Sequence, residues 1–139
     1  MRNYSLNQLK FIAENKGKLF PVLIYDKNNR LILTNEEPEK LKYVESILTK
    51  DSYVMYESLE GYVVSNMTDD ESYLGKVECD LYLVSPDMLM NLDTYYSNFD
   101  RVEIKDSNED TCYFYMMEIY LKNSRVEPDI DGILRSSYL

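Results

Sequence analysis

An α+β domain built on a curved, mainly antiparallel sheet follows from the way short apolar runs and turn chemistry alternate along the 139 residues. Most of the apolar runs are too short and too rich in β-forming residues for helices, and the few helical segments punctuate the strands. Composition agrees with a packed domain. Apolar residues make up 45% and charged residues 29%, while 4 Gly and 4 Pro are too few for a collagenous or low-complexity chain. The length suits one domain, divided into a helical extension over residues 1–18, the domain proper over 19–123 and a C-terminal tail over 124–139.

In chain order, Ser5 caps a helix over residues 6–15 whose apolar side is Leu6, Leu9, Phe11, Ile12 and Ala13, and Gly17 suits the left-handed position beyond its end. Residues 19–25 read as a buried strand. Asp26-Lys27-Asn28-Asn29-Arg30 is a turn by its chemistry, because Asn and Asp hydrogen-bond locally and tolerate left-handed backbone, and residues 30–34 return from it as a second hairpin arm. Glu36-Glu37-Pro38 opens another helix, since proline fits a first turn and acids complement the helix dipole. Leu41, Val44, Ile47 and Leu48 recur at three and four residues and give that helix one buried face, ending near Lys50. Residues 52–56 and 62–65 flank a glycine-containing turn as two strands, and residues 67–74 form the most polar loop.

Residues 77–84 form the next strand. Ser85 and Pro86 start a short helix that packs through Met88, Leu89 and Leu92. Residues 101–105 and 111–121 make a hairpin across Asp106-Ser107-Asn108-Glu109-Asp110. Its second arm carries Cys112, Phe114 and Met116 on one face and Tyr113, Tyr115 and Met117 on the other, which places it centrally in the sheet. The polar stretch from residue 124 onward either docks or frays.

Charge and composition remove several classes of function. Lys and Arg number 15 against 25 Asp and Glu, a net charge of -10, so the surface repels phosphate backbones and anionic lipid, and neither nucleic acid nor membrane is expected as a direct partner. Residues 71–139 hold 6 basic and 14 acidic side chains, against 9 and 11 in residues 1–70, which is either a solvated acidic face or an acidic interaction surface. The chain contains no His, the usual catalytic base and metal ligand, and its two cysteines, Cys79 and Cys112, have no metal-binding spacing. No metal or other cofactor is expected, and both thiols read as inert and buried. The first residues lack a signal-type apolar segment, and no run approaches the roughly 18 apolar residues that span a bilayer. A reduced, cytoplasmic protein is the expectation. Tyr numbers 14 against 4 Phe and no Trp, a bias that suits a lined cavity or a protein-binding surface.

The segments Val22-Leu23-Ile24-Tyr25-Asp26-Lys27-Asn28, Tyr56-Glu57-Ser58-Leu59-Glu60-Gly61-Tyr62 and Val77-Glu78-Cys79-Asp80-Leu81-Tyr82 stand in a telling order. Leu92-Asp93-Thr94-Tyr95-Tyr96 follows, leading into Phe99-Asp100-Arg101-Val102-Glu103-Ile104. Together, over residues 22–121, they resemble the γ-glutamylcyclotransferase-like family, also called AIG2-like, and the last segment is the most specific. The resemblance implies a small, mixed, mainly antiparallel β-barrel with flanking helices, enclosing a cavity for a γ-glutamyl or amine-bearing substrate. It further implies backbone amides of a Tyr-Gly loop that hold a carboxylate, and a glutamate that takes a proton from the attacking amine. In this chain Asp26 stands at the glycine, Tyr96 at the glutamate, Val63 at a proline and Cys79 at the strand glycine. A phenol ionises near pH 10 and is a poor base at neutrality, so standard cyclotransferase chemistry is disfavoured.

The expected ligand site is Tyr25, Asp26, Lys27 and Asn28 on one loop with Tyr96 on the turn opposite. Tyr96 either fills the core or offers a hydroxyl and a flat wall to a ligand, and Lys27 is either a solvated turn residue or an attractor for an anion. Asp93 supports its own turn, and Asp80 pairs structurally with Arg101. Three functions are carried forward. The first is a cyclotransferase-like protein that has lost the catalytic carboxylate and binds a small γ-glutamyl or amino-acid-like ligand or a protein. The second is an active enzyme using a substitute acid such as Asp93, Asp100 or Glu103. The third is an acidic inhibitor or adaptor that binds a basic protein surface.

Overall fold

The computed structural model describes residues 2–16, 18–27, 40–59 and 61–136. Gly17, Asn28, the hairpin arm over 30–34 and the helix opening at 36–38 lie outside the described residues. Helix α1 (Leu6–Glu14) is closed by a capping box in which the Ser5 hydroxyl accepts the Gln8 N–H and the Gln8 side chain accepts the Ser5 N–H. Among the described residues the strands are β1 (Phe20–Ile24), β2 (Leu41–Leu48), β3 (Val54–Ser58), β4 (Gly61–Ser65), β5 (Lys76–Val84), β6 (Asp100–Lys105), β7 (Thr111–Met116) and β8 (Ile133–Leu134). Helix α2 (Pro86–Tyr95) lies between β5 and β6, with Ser85 as its cap and Pro86 in its first turn.

The main sheet runs β2-β5-β1-β7-β6, with β8 added beside β5, and β3 and β4 pair as a separate hairpin. Most pairings are antiparallel, but β1 runs parallel to β7 and β8 parallel to β5. As expected from its two apolar faces, β7 is interior. Phe114 joins Leu23 and Leu81 in a core covered by Met55, Tyr62 and Val64 of the hairpin, while Tyr115 joins Val22 and Val84 in a second core covered by Met88, Leu89 and Leu92 of α2.

Two expectations are corrected. Residues 41–48 are a strand, not a helix. Leu41 and Tyr43 pair with Val84 and Tyr82, and the register shifts before Glu45. Leu41 therefore packs in the α2-side core and Ile47 in the hairpin-side core, with Val44 beside it. The three-residue spacing is the imprint of two faces and a bulge, not of one helical stripe. The sheet also does not close into a true barrel. Its edge strands meet only beyond β2 and β6, at an isolated bridge between Thr49 and Asp106, where the Lys50 N–H donates to the Lys105 carbonyl and the Ser107 N–H to Leu48, each at 2.9 Å. Closure needs a hydrogen-bonded ladder along the strands, and this seam has a single bridge.

The N-terminal segment reinforces that seam. The Arg2 side chain, 6% exposed, pairs with Glu45 of β2 at 3.3 Å and with Asp106 and Asp110 of the β6–β7 turn. Gln8 donates from α1 to the Tyr43 and Val44 carbonyls, at the bulge. The C-terminal stretch docks: Leu134 is fully buried, and Arg135 bonds Asp129 at 3.0 Å and also Glu78. Among the described residues no helix is long and apolar enough to cross a membrane.

Candidate functional site

The end of β1 runs into Asp26, a carboxylate only 5% exposed. Its Oδ2 accepts the Tyr62 N–H at 3.0 Å, tying the β1 loop to the start of β4. That approach requires Gly61. A Cβ there would stand 2.5 Å from the Asp26 Oδ2, and the Gly61 φ of +125° is one that side chains rarely adopt. Tyr25 is fixed beneath this corner: its hydroxyl donates to the Tyr115 carbonyl at 2.8 Å and accepts the Val64 N–H at 3.2 Å, so one phenol joins the main sheet to the hairpin. Burial pushes the Tyr25 phenol well up from its ordinary value.

Facing Asp26 is the end of α2. Tyr96 caps the helix through its N–H to the Leu92 carbonyl at 2.8 Å. Its ring stacks on Tyr115 with centroids 4.5 Å apart and 18° between planes, and meets Tyr95 and Phe99 edge-on at 4.9 and 5.2 Å. Tyr115 is itself held, because its hydroxyl donates to Asp93 Oδ1 at 2.7 Å while Arg101 donates to Asp93 Oδ2 at 2.9 Å. Burial, with the Asp93 charge beside it, pushes the Tyr115 phenol up.

Between these walls lies a cavity of about 580 Å³. Asp26, Gly61 and Tyr62 form one side of its lining and Tyr95, Tyr96, Asn98 and Phe99 another. Met117, Ile119 and Leu121, from the chain leaving β7, supply an apolar remainder. Asp26 is the one carboxylate among the described lining residues, and no lysine or arginine is among them. Burial, and secondarily the Asp26 charge, pushes the Tyr95 phenol upward.

Of the residues expected at a ligand site, Asp26 and Tyr96 share this cavity. Tyr25 lies under it, and Lys27 is turned away: its N–H donates to the Ser136 Oγ at 3.0 Å and its Nζ pairs with Glu78 at 3.5 Å. Ser136 in turn donates to the Tyr25 carbonyl at 2.6 Å, so the C-terminal stretch clamps the loop that carries Asp26. Asn28 lies outside the described residues. The Asp80–Arg101 pair does not form. Asp80 on β5 is separated from Arg101 on β6 by β1 and β7, three strand spacings or about 14 Å, and Arg101 binds Asp93 and covers the Tyr113 ring instead. Sequence reasoning missed Tyr95 and Phe99 as lining, although both flank Tyr96 at one helix end.

Asp93, Asp100 and Glu103 are outside the cavity lining. Asp93 and Asp100 border a smaller polar cleft of about 300 Å³ on the other side of Tyr96. Among the described residues no cluster of His, Cys, Asp and Glu could hold a metal ion. Cys79 and Cys112 are buried, with Cys79 raised well above the ordinary thiol range and Cys112 pushed up to about 12, each chiefly by desolvation.

No protein-family model matches the chain, and no curated protein matches it in sequence. Solved structures match in shape. An AIG2-like protein from Mus musculus superposes with a TM-score of 0.59 at 12% identity, over 87% of this chain and 97% of that one. An uncharacterized protein from Pyrococcus horikoshii gives 0.57 at 11% identity, over 78% and 86%. Kluyveromyces lactis allophanate hydrolase gives 0.61 at 11% identity, over 82% of this chain and 20% of the larger protein. At these identities the likeness is one of fold, and the chain has the mixed, mainly antiparallel fold of AIG2-like, γ-glutamylcyclotransferase-like proteins.

Proposed function

We propose that this chain is a ligand-binding protein on a cyclotransferase-like scaffold, which holds a small amine-bearing, amino-acid-sized molecule in the Asp26–Tyr96 cavity and does not perform cyclotransfer. One observation carries the reading: the position that the family resemblance gives to a glutamate is Tyr96, and its ring is packed flat on Tyr115 at the cavity wall. Cyclisation of a γ-glutamyl group needs a positioned base to take the proton from the attacking amine, and losing such a base costs on the order of a hundred- to ten-thousand-fold in rate. The substitute acids Asp93, Asp100 and Glu103 do not line the cavity, which favours binding over an alternative catalytic carboxylate. Of the γ-glutamyl and amine-bearing ligands that the resemblance implies, the Asp26 carboxylate and the absence of a basic side chain among the described lining residues favour the amine. A volume of about 580 Å³ is in the range of small-molecule sites, whereas an adaptor acting only through its acidic surface calls for an interior filled by side chains.

The test is 5-oxoproline release from γ-glutamyl dipeptides, run beside a thermal-shift screen of small amines. Stabilisation by an amine without turnover is the expected result. Robust turnover overturns the loss of chemistry, and an absence of any stabilisation overturns the pocket.

A further inference from the structure

The chain that leaves β7 gives the cavity a floor with a chemistry of its own. The Met117 N–H donates to the Val64 carbonyl at 3.1 Å and the Ile119 N–H to the Ser65 Oγ at 3.3 Å, so this stretch follows β4 and is held at every second residue. Side chains of an extended segment point alternately to its two sides. Met117, Ile119 and Leu121 are half-buried and line the cavity, whereas Glu118 and Tyr120 between them are exposed and outside the lining. Tyr120 meets the Tyr56 ring edge-on at 6.4 Å and is hydrogen-bonded to Asp69, and neither of these partners lines the cavity. The three apolar side chains therefore form one stripe, up to about 13 Å long at the rise of an extended chain. The exposed Leu59 at the hairpin tip and the half-exposed Tyr95 border the same space. Apolar side chains that border an open concavity leave area that a guest removes from water.

We propose that this stripe is a subsite for a hydrocarbon tail, so that the molecule held in the cavity is amphipathic and the length of its tail along Met117, Ile119 and Leu121 sets its affinity. This rests on the cavity being a binding site and narrows its ligand to one class. It makes no demand on the charge of the head.

n-Alkylammonium ions and n-alkanols from propyl to hexyl put two different heads on one ladder of tails. In calorimetric titrations of the intact protein at neutral pH, each added methylene is expected to tighten binding about threefold in both series. The slope reads the tail, and the offset between the series reads the head. Ile119→Ser and Leu121→Ser each flatten the climb to about twofold per methylene or less, and the second serves if the first fails to fold. Tyr120→Ser, on the other side of the same stretch, leaves the climb unchanged. A series that binds without climbing overturns the tail subsite and leaves the cavity a binding site. A climb that persists in both stripe variants, or is lost equally in Tyr120→Ser, overturns the assignment of the tail to this stripe. Failure of every member to bind overturns both readings.

Discussion

Two buried aspartates, Asp106 at the sheet seam and Asp26 at the cavity, stand in different surroundings. Asp106 has no exposed surface, and its Oδ1 accepts the N–H groups of Asn108 and Asp110 at 2.9 and 3.1 Å. Its Oδ2 faces the buried Arg2 guanidinium and the Cys112 thiol. The charge is surrounded by the chain itself, and what it holds together is the meeting of the β2 and β6 edges. Asp26 accepts the Tyr62 amide among its partners and lines a space large enough for a small molecule. The first carboxylate is turned onto a cation of the chain, and the second borders a cavity, where the proposed function puts a ligand.

The sharpest break between the two is stability. Asp106→Ala takes from the buried Arg2 guanidinium its most buried partner, leaving Glu45 and Asp110, and takes from the Asn108 and Asp110 N–H groups their acceptor. It is expected to cost about 3 kcal/mol in urea unfolding, more than Asp26→Asn, which keeps an oxygen for the Tyr62 N–H. Equal losses would erase the distinction. Next in size, Gly61→Ala forces a side chain into a left-handed backbone against the Asp26 carboxylate, at about 1–3 kcal/mol. Combining it with Asp26→Ala removes the clash but not the strain, so the double variant is expected to lose less than the sum of the two single ones.

Raising the pH probes the corner beneath the cavity. The Tyr25 phenol is raised in the fold, so its contribution is complete below the unfolded value near pH 10 and is lost as pH climbs beyond it. Absorbance of ionised tyrosine, followed together with circular dichroism, should show the last tyrosines ionising only as the fold is lost. Ionisation of every tyrosine in a native spectrum would contradict the placement of Tyr25. The smallest expected effect concerns Cys112, pushed up to about 12 by burial and then by Asp106. Native alkylation at pH 8 should be negligible, and Asp106→Asn, by removing a negative neighbour, should raise the rate at this thiol relative to Cys79. A rate that does not change would mean that the Asp106 charge does not reach the sulfur.

What the sequence makes legible is local chemistry. Ser85-Pro86 starts α2, Ser5 and Gln8 close the cap of α1, and the two apolar faces of residues 111–116 place β7 inside. The strand over residues 41–48 is hidden because a bulge divides its apolar residues between two cores, which imitates helical spacing. Arg101 is misassigned because its partner depends on strand order, which spacing along the chain does not encode. At the candidate site, the resemblance brings Asp26 and Tyr96 to notice, and both line one cavity. Tyr62 joins them only through the packing of the β3–β4 hairpin onto the sheet, a long-range event without a local signature.

The placement of β1 sets the order in which the molecule can be assembled. Residues 20–24 pair with β5, about 60 positions later, and with β7, about 90 positions later. During synthesis this apolar strand waits unpaired until most of the chain exists, and neither half of the protein holds a complete sheet. Slow, all-or-none folding and a need for protection of the nascent chain follow from that single crossing of early and late segments.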